Sequence, residues 1–169
     1  MTRPESNPRS KIDAMTQFAK TNALEGEVRP VTREALEELA KRHWLTVELR
    51  ADGIAGRWGS AFFEIAVSED PAQVLSVDSL WDYAVVTPYQ DAVLEYIDSW
   101  NRDNVVPAVS YVRHESDGSL GILTHADVDI DFGATEAQLA GFVAAGVHSA
   151  LVFHRGLHTL LGLPLDDGR

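Results

Sequence analysis

The stretch Leu45-Thr46-Val47-Glu48-Leu49-Arg50, followed by Ala51-Asp52-Gly53 and then by Ile54 to Trp58, decides the fold. Leu45, Val47 and Leu49 alternate with Thr46, Glu48 and Arg50. A period of two puts apolar side chains on one face of a strand and polar ones on the other. Asp52-Gly53 supplies the residue types a tight hairpin turn needs, so the chain reverses at once into a second strand. Phe63, Ile65 and Val67 alternate with Phe62, Glu64 and Ala66 to give a third, and a fourth falls within Val74 to Tyr83. Farther on, residues 105–113 and 119–132 form a second hairpin around Asp117-Gly118.

Around these strands the period changes to that of a helix. Thr32 precedes the run Arg33 to Trp44, in which Leu36, Leu39, Ala40 and His43 share a face. Thr87, Pro88 and Gln90 read as an N-cap, a first-turn proline and a capping-box residue before Val93, Leu94, Ile97 and Trp100. Thr135, Glu136 and Gln138 repeat that logic and open the longest periodic segment, which ends near Leu161, before Gly162 and Pro164. The expected order is helix, three or four strands, helix, two strands, helix. Short turns between successive strands make the sheet antiparallel, of five to six strands, and three helices on it make the class α+β. Residues 29–163 form this single domain. Residues 1–28, with Pro4, Pro8 and few large apolar residues, are expected to be a mobile tail carrying at most a short helical stretch near Ile12 to Ala19, and residues 164–169 a short C-terminal tail.

Composition narrows the function. The chain has 169 residues, 45% apolar and 24% charged, within the range of one ordinary globular domain. Fourteen Lys and Arg against 26 Asp and Glu leave a net charge of −12, which disfavours nucleic acid and anionic membranes as partners. There is no cysteine, so disulfides, thiol nucleophiles and iron–sulfur ligation are excluded. No apolar run suggests a membrane span and the N-terminus does not read as a signal peptide; the expected location is the cytoplasm.

The second half carries a family resemblance. A helix ends in Trp100-Asn101, the extended segment Ala108-Val109-Ser110-Tyr111-Val112 follows, and Asp117-Gly118 turns it into Leu120 to Phe132. Gly133 and Thr135-Glu136 then lead into the last helix. From about Val31 to Gly162 this pattern resembles the YbjN-domain family of bacterial sensory-transduction regulators. The resemblance implies a fold similar to type III secretion chaperones, acidic and often dimeric proteins that hold partner polypeptides. It brings no catalytic residues and no cofactor.

The sharpest local feature is Asp127, Asp129 and Asp131. On a strand this spacing puts three carboxylates on one face, about 6–7 Å apart, with Val128, Ile130 and Phe132 turned to the core. The readings are a solvated face, an acidic patch for a partner, or a hard-cation site, for which a flat strand converges poorly. His154 and His158 are four apart and could share a metal, but His148 lies about 240° round the helix from His154. Histidines near a helix C-terminus also complement its dipole. Gly53, Gly56 and Gly59 match no phosphate-loop pattern and suit turns. Trp58, Trp81 and Trp100 could line a ligand pocket.

The last helix has an apolar arc wider than one sheet face needs: Leu139, Phe142, Val143, Gly146, Ala150, Phe153, Leu157 and Leu160, widened by Val147, Leu151, Val152 and Leu161. It is either core or a subunit interface. Phe142, Val147, Leu151 and Val152, with Trp81, are therefore the candidate contacts of a homodimer, and Asp127, Asp129 and Asp131 those of a protein partner. The leading expectation is a non-enzymatic protein-binding module, chaperone-like or regulatory. A metal- or small-ligand-binding sensor is the alternative.

Overall fold

The computed structural model describes residues 8–22, 26–43, 45–68 and 73–164. In chain order the elements are α1 (Pro8–Asn22), α2 (Arg33–Arg42), β1 (Glu48–Leu49), β2 (Gly53–Trp58), β3 (Ala61–Ser68), β4 (Val74–Trp81), α3 (Gln90–Asp103), β5 (Ala108–Arg113), β6 (Leu120–Asp129) and α4 (Glu136–Leu161), with a 3-10 turn at Thr87–Tyr89. The strands make one antiparallel sheet in the order β1-β2-β3-β4-β6-β5. The fold is α+β, as its strand pattern indicates.

Alternation fixes which face is buried. On β3, Ala61, Phe63, Ile65 and Val67 are buried and the residues between them are not. On β4 the buried set is Leu75, Val77, Ser79 and Trp81. The helices pack on this one face. Leu36, Leu39 and Ala40 of α2, with Val143, Val147 and Ala150 of α4, cover Ile54, Phe63, Ile65 and Val77. Phe153 and Leu157 of α4 join Val93 and Ile97 of α3 over Val109, Leu120 and Ile122. The approach is closest at Gly146, where a Cβ would sit 2.9 Å from that of Val77. Only glycine lets α4 rest on the middle of the sheet.

The start of α4 follows its sequence. Thr135 Oγ1 accepts from Gln138 N at 3.2 Å, and Thr135 N–H donates to Gln138 Oε1 at 2.8 Å. The helix stops at Gly162 in the left-handed region, φ 64°. Its 26 residues are long and apolar enough to cross a membrane, contrary to the sequence reading. More than half of its apolar window is buried inside the domain, the mark of a core helix.

Four α-helices lie among the described residues, one more than expected. The addition is α1, within the segment 1–28 that the sequence reading left as a mobile tail. Ile12, Met15 and Ala19 are buried in the main core, and Phe18 packs edge-on against His43, with ring centroids 5.2 Å apart. The helix lies on α4, where Gly141 gives Ala19 room: a Cβ at Gly141 would stand 3.2 Å from Ala19 Cβ. Burying Met15 alone stabilises by roughly 1.5–3 kcal/mol, enough to hold a helix whose other residues are mostly polar.

Thr87 does not cap α3: the 3-10 turn intervenes and no side chain caps the helix. Gln90 instead donates from Nε2 to the carbonyls of Val85 and Gly118 and accepts from Arg113 on Oε1, tying the start of α3 to the second hairpin. Strand β6 ends at Asp129, so Phe132 lies beyond it and is 93% exposed rather than turned to the core.

Candidate interaction surface

The opposite face of the sheet carries the side chains of the other parity, and among the described residues no helix covers it. Cross-strand register aligns them in rows. Arg57, Phe62, Leu80, Leu123 and Ser110 lie opposite one another across β2, β3, β4, β6 and β5. Phe62, Leu80 and Leu123 thus form an apolar bar, with Leu80 at its centre 45% exposed. Arg50 reaches over its end, Cζ 5.8 Å from the Phe62 ring centroid. Two residues along each strand the row is polar: Glu64, Asp78 and His125. His125 Nδ1 meets Asp78 Oδ1 at 2.8 Å, and His125 Nε2 lies 3.3 Å from Ser110 Oγ. The next row pairs Ser76 with Asp127, and the last pairs Val74 with Asp129.

The bar therefore has an acidic flank. The two arginines of this face are already paired, Arg50 with Glu48 at 3.1 Å and Arg57 with Asp82. Among the described residues, Glu64 and Asp127 have no cationic side chain bonded to them.

The aspartate run is only partly on this surface. Asp127 and Asp129 are exposed on β6, whereas Asp131 falls in the turn after it. Asp129 Oδ1 accepts the N–H of Asp131 at 2.9 Å, and Asp131 Oδ1 accepts the N–H of Gln73 at 3.1 Å. Those two carboxylates finish a strand and tether the β4 entry. Among the described residues no three His, Asp or Glu side chains gather as a metal site requires.

The proposed dimer contacts are dispersed. Val147 and Trp81 are core residues, 0% and 3% exposed, and offer no contact surface. Phe142 is half-buried against the core beside α1. Leu151 is also half-buried, and Val152 is exposed at 37%. The wide arc of α4 has a simple cause: α1 covers part of it. Ala144 and Gly146 belong to the core, while Ala145 is exposed.

His154 and His158 are not dipole-facing surface groups; both are buried where α4 meets β4. Their bonds form two short chains. His158 Nδ1 lies 2.6 Å from the Pro164 carbonyl, which can only accept. Its Nε2 faces the Trp81 indole N–H at 3.3 Å, which can only donate, and the Ser60 hydroxyl at 2.9 Å. These partners fix the tautomer with the proton on Nδ1. His154 Nε2 contacts Ser79 Oγ at 3.3 Å, which contacts Thr124 Oγ1 at 2.7 Å, while His154 Nδ1 is buried without a partner. Burial first, and the neighbouring His158 second, push the His154 pKa down to about 3. It is a neutral core histidine. Trp58 lies in one core cluster and Trp81 and Trp100 in the other, so the three tryptophans do not share a pocket.

Trp100 and Asn101 are structural as well. Trp100 Nε1–H donates to the Pro107 carbonyl at 3.1 Å. Asn101 bonds both backbone groups of Val109, so the helix end is stitched to the outer edge of β5.

Together the fold and surface define a one-sided α+β domain: helices and a buried polar lock on one face of the sheet, an apolar bar with acidic flank on the other. The family model YbjN, described as "Putative bacterial sensory transduction regulator", matches residues 32–158, and the chain belongs to that family. Its structure is similar to the crystal structure of YbjN from E. coli, described as a "putative transcription regulator", at TM-score 0.63 over 79% of this chain and 97% of that one. Identity between the two is 9%, so this likeness concerns the fold. Among curated proteins, none matches the sequence.

Proposed function

We propose that this chain is a non-catalytic regulatory module of the cytoplasm that acts by holding another polypeptide, in a chaperone-like manner, against the uncovered face of its sheet. One observation carries this reading: Phe62, Leu80 and Leu123 line up across three adjacent strands on a face that no helix among the described residues occupies. A one-sided sheet normally presents polar residues to water, and a contiguous apolar bar there is the usual form of a contact surface. The family's description as a regulator agrees with a binding role. The buried histidines do not favour catalysis, since both rings are sealed inside the core, 1% and 2% exposed.

Affinity capture from the native cell, with the natural chain and a Leu80→Asp variant side by side, tests the proposal. Leu80 is half exposed, so the fold tolerates the change. A polypeptide retained by the natural chain and lost from the variant supports the reading; identical captures refute it.

A further inference from the structure

We infer that the segment held on the sheet is a cationic amphipathic helix of a different protein, lying along the bar formed by Phe62, Leu80 and Leu123. The inference rests on the binding role proposed above and specifies the partner's chemistry. Geometry comes first. Adjacent strands are about 4.8 Å apart, so the three side chains recur at nearly the 5.4 Å pitch of an α-helix. A helix running across the strands would therefore set residues i, i+3 or i+4, and i+7 against successive members of the bar. Charge selects the partner's flank. Glu64 lies two residues along β3 from Phe62, and Asp127 four along β6 from Leu123, both on the same side of the bar. Lys or Arg beside the apolar stripe would reach toward carboxylates that have no cationic partner among the described residues.

The same charges argue against other occupants. A second copy laid face to face would bring together two chains that each carry a net charge of −12. An anionic surface would meet the same repulsion. An added strand along β5 is hindered, because Asn101 already holds the edge groups of Val109.

The probe is a synthetic 18-residue helix with leucines at i, i+3, i+4 and i+7 and lysines beside them, against a twin with glutamate for lysine, titrated by fluorescence anisotropy. Binding is expected for the lysine peptide and not for its twin. Glu64→Gln combined with Asp127→Asn should weaken it at least tenfold. Leu80→Asp separates docking from plain charge attraction: it adds a negative charge, so attraction alone would tighten binding, whereas docking on the bar requires at least tenfold loss. Unchanged or tighter binding to Leu80→Asp, or equal binding of both peptides, overturns the inference. A native partner lost with Leu80→Asp but engaged through an acidic or uncharged segment would overturn it too, while leaving the binding role intact.

Discussion

Asn101 makes with its side chain both hydrogen bonds that a neighbouring strand would make with Val109: Nδ2–H donates to the Val109 carbonyl and Oδ1 accepts the Val109 N–H, each at 2.8 Å. An outer strand with free backbone groups is a template for pairing with another chain. Here a residue of the last turn of α3 occupies the edge of β5 near the start of the strand.

Replacing Asn101 with Ala should therefore do two things. Two hydrogen bonds are lost, at a cost of roughly 1–3 kcal/mol, and the β5 edge opens. We expect a lower melting temperature together with concentration-dependent association by light scattering. A variant that melts earlier but remains monodisperse would show Asn101 to be a tether without an edge-blocking role.

The N-terminal helix should be part of the cooperative fold. Met15→Ala empties a fully buried site, and such truncations cost about 2–5 kcal/mol. Chemical denaturation measures the loss, and a change below about 0.5 kcal/mol would return α1 to the status of an appendage.

The same helix bears on the homodimer expected from the sequence. With α1 laid on α4, part of the apolar arc that suggests a homodimer is used in the monomer's own core, while Val152 and Leu160 stay exposed. Sedimentation equilibrium of the full chain should give one monomer mass across a hundredfold concentration range. Removal of residues 1–22 should expose the arc and produce self-association. A dimer of the full chain, disrupted by Val152→Asp, would restore the interface read from the sequence.

Acid should destabilise the domain through His154. Its folded pKa of about 3 lies below the ordinary unfolded value, so the unfolded chain takes up a proton before the native one does. Stability from this group is complete above pH ~6.5 and is lost as pH falls toward 3. At pH 5 the loss is about 2 kcal/mol. His43, lowered chiefly by burial with Arg42 adding and Glu136 opposing, contributes in the same direction. His154→Leu should flatten the stability slope between pH 6.5 and 5; an unchanged slope would mean that His154 is protonated in the native state as easily as in the unfolded one.

The sheet and three helices were legible because local chemistry and tertiary packing agree there. Phe63, Ile65 and Val67 alternate cleanly on β3, and Thr135 with Gln138 caps α4 as its spacing indicates, whereas the strand expected from Leu45 to Arg50 shrinks to Glu48–Leu49 and Leu49 is exposed. Helix α1 was obscured by the polar residues around its few anchors, although Ile12, Met15 and Ala19 stand at i, i+3 and i+7. Thr87, Pro88 and Gln90 spell a capping box, but Gln90 is drawn away by the carbonyls of Val85 and Gly118. By alternation Asp131 continues β6, but the Asp129 carboxylate accepts its N–H and closes the strand. The surface was the least legible part. Val77 and Leu80 are both apolar residues of β4, and only the packing of α4 against Val77 makes one core and the other surface. Ser79, buried where the alternation calls for an apolar residue, is explained by His154 reaching it from a helix 75 positions away.

Isothermal titration of the captured polypeptide into three forms of the domain tests the use of the open sheet most directly. Leu80→Asp alters the centre of the apolar bar, and Val152→Asp alters the exposed flank of α4 by the same chemistry. Affinity should fall at least tenfold for Leu80→Asp and stay within twofold for Val152→Asp. Loss with Val152→Asp and full affinity with Leu80→Asp would move the binding surface to the helical side and contradict the role assigned to the sheet.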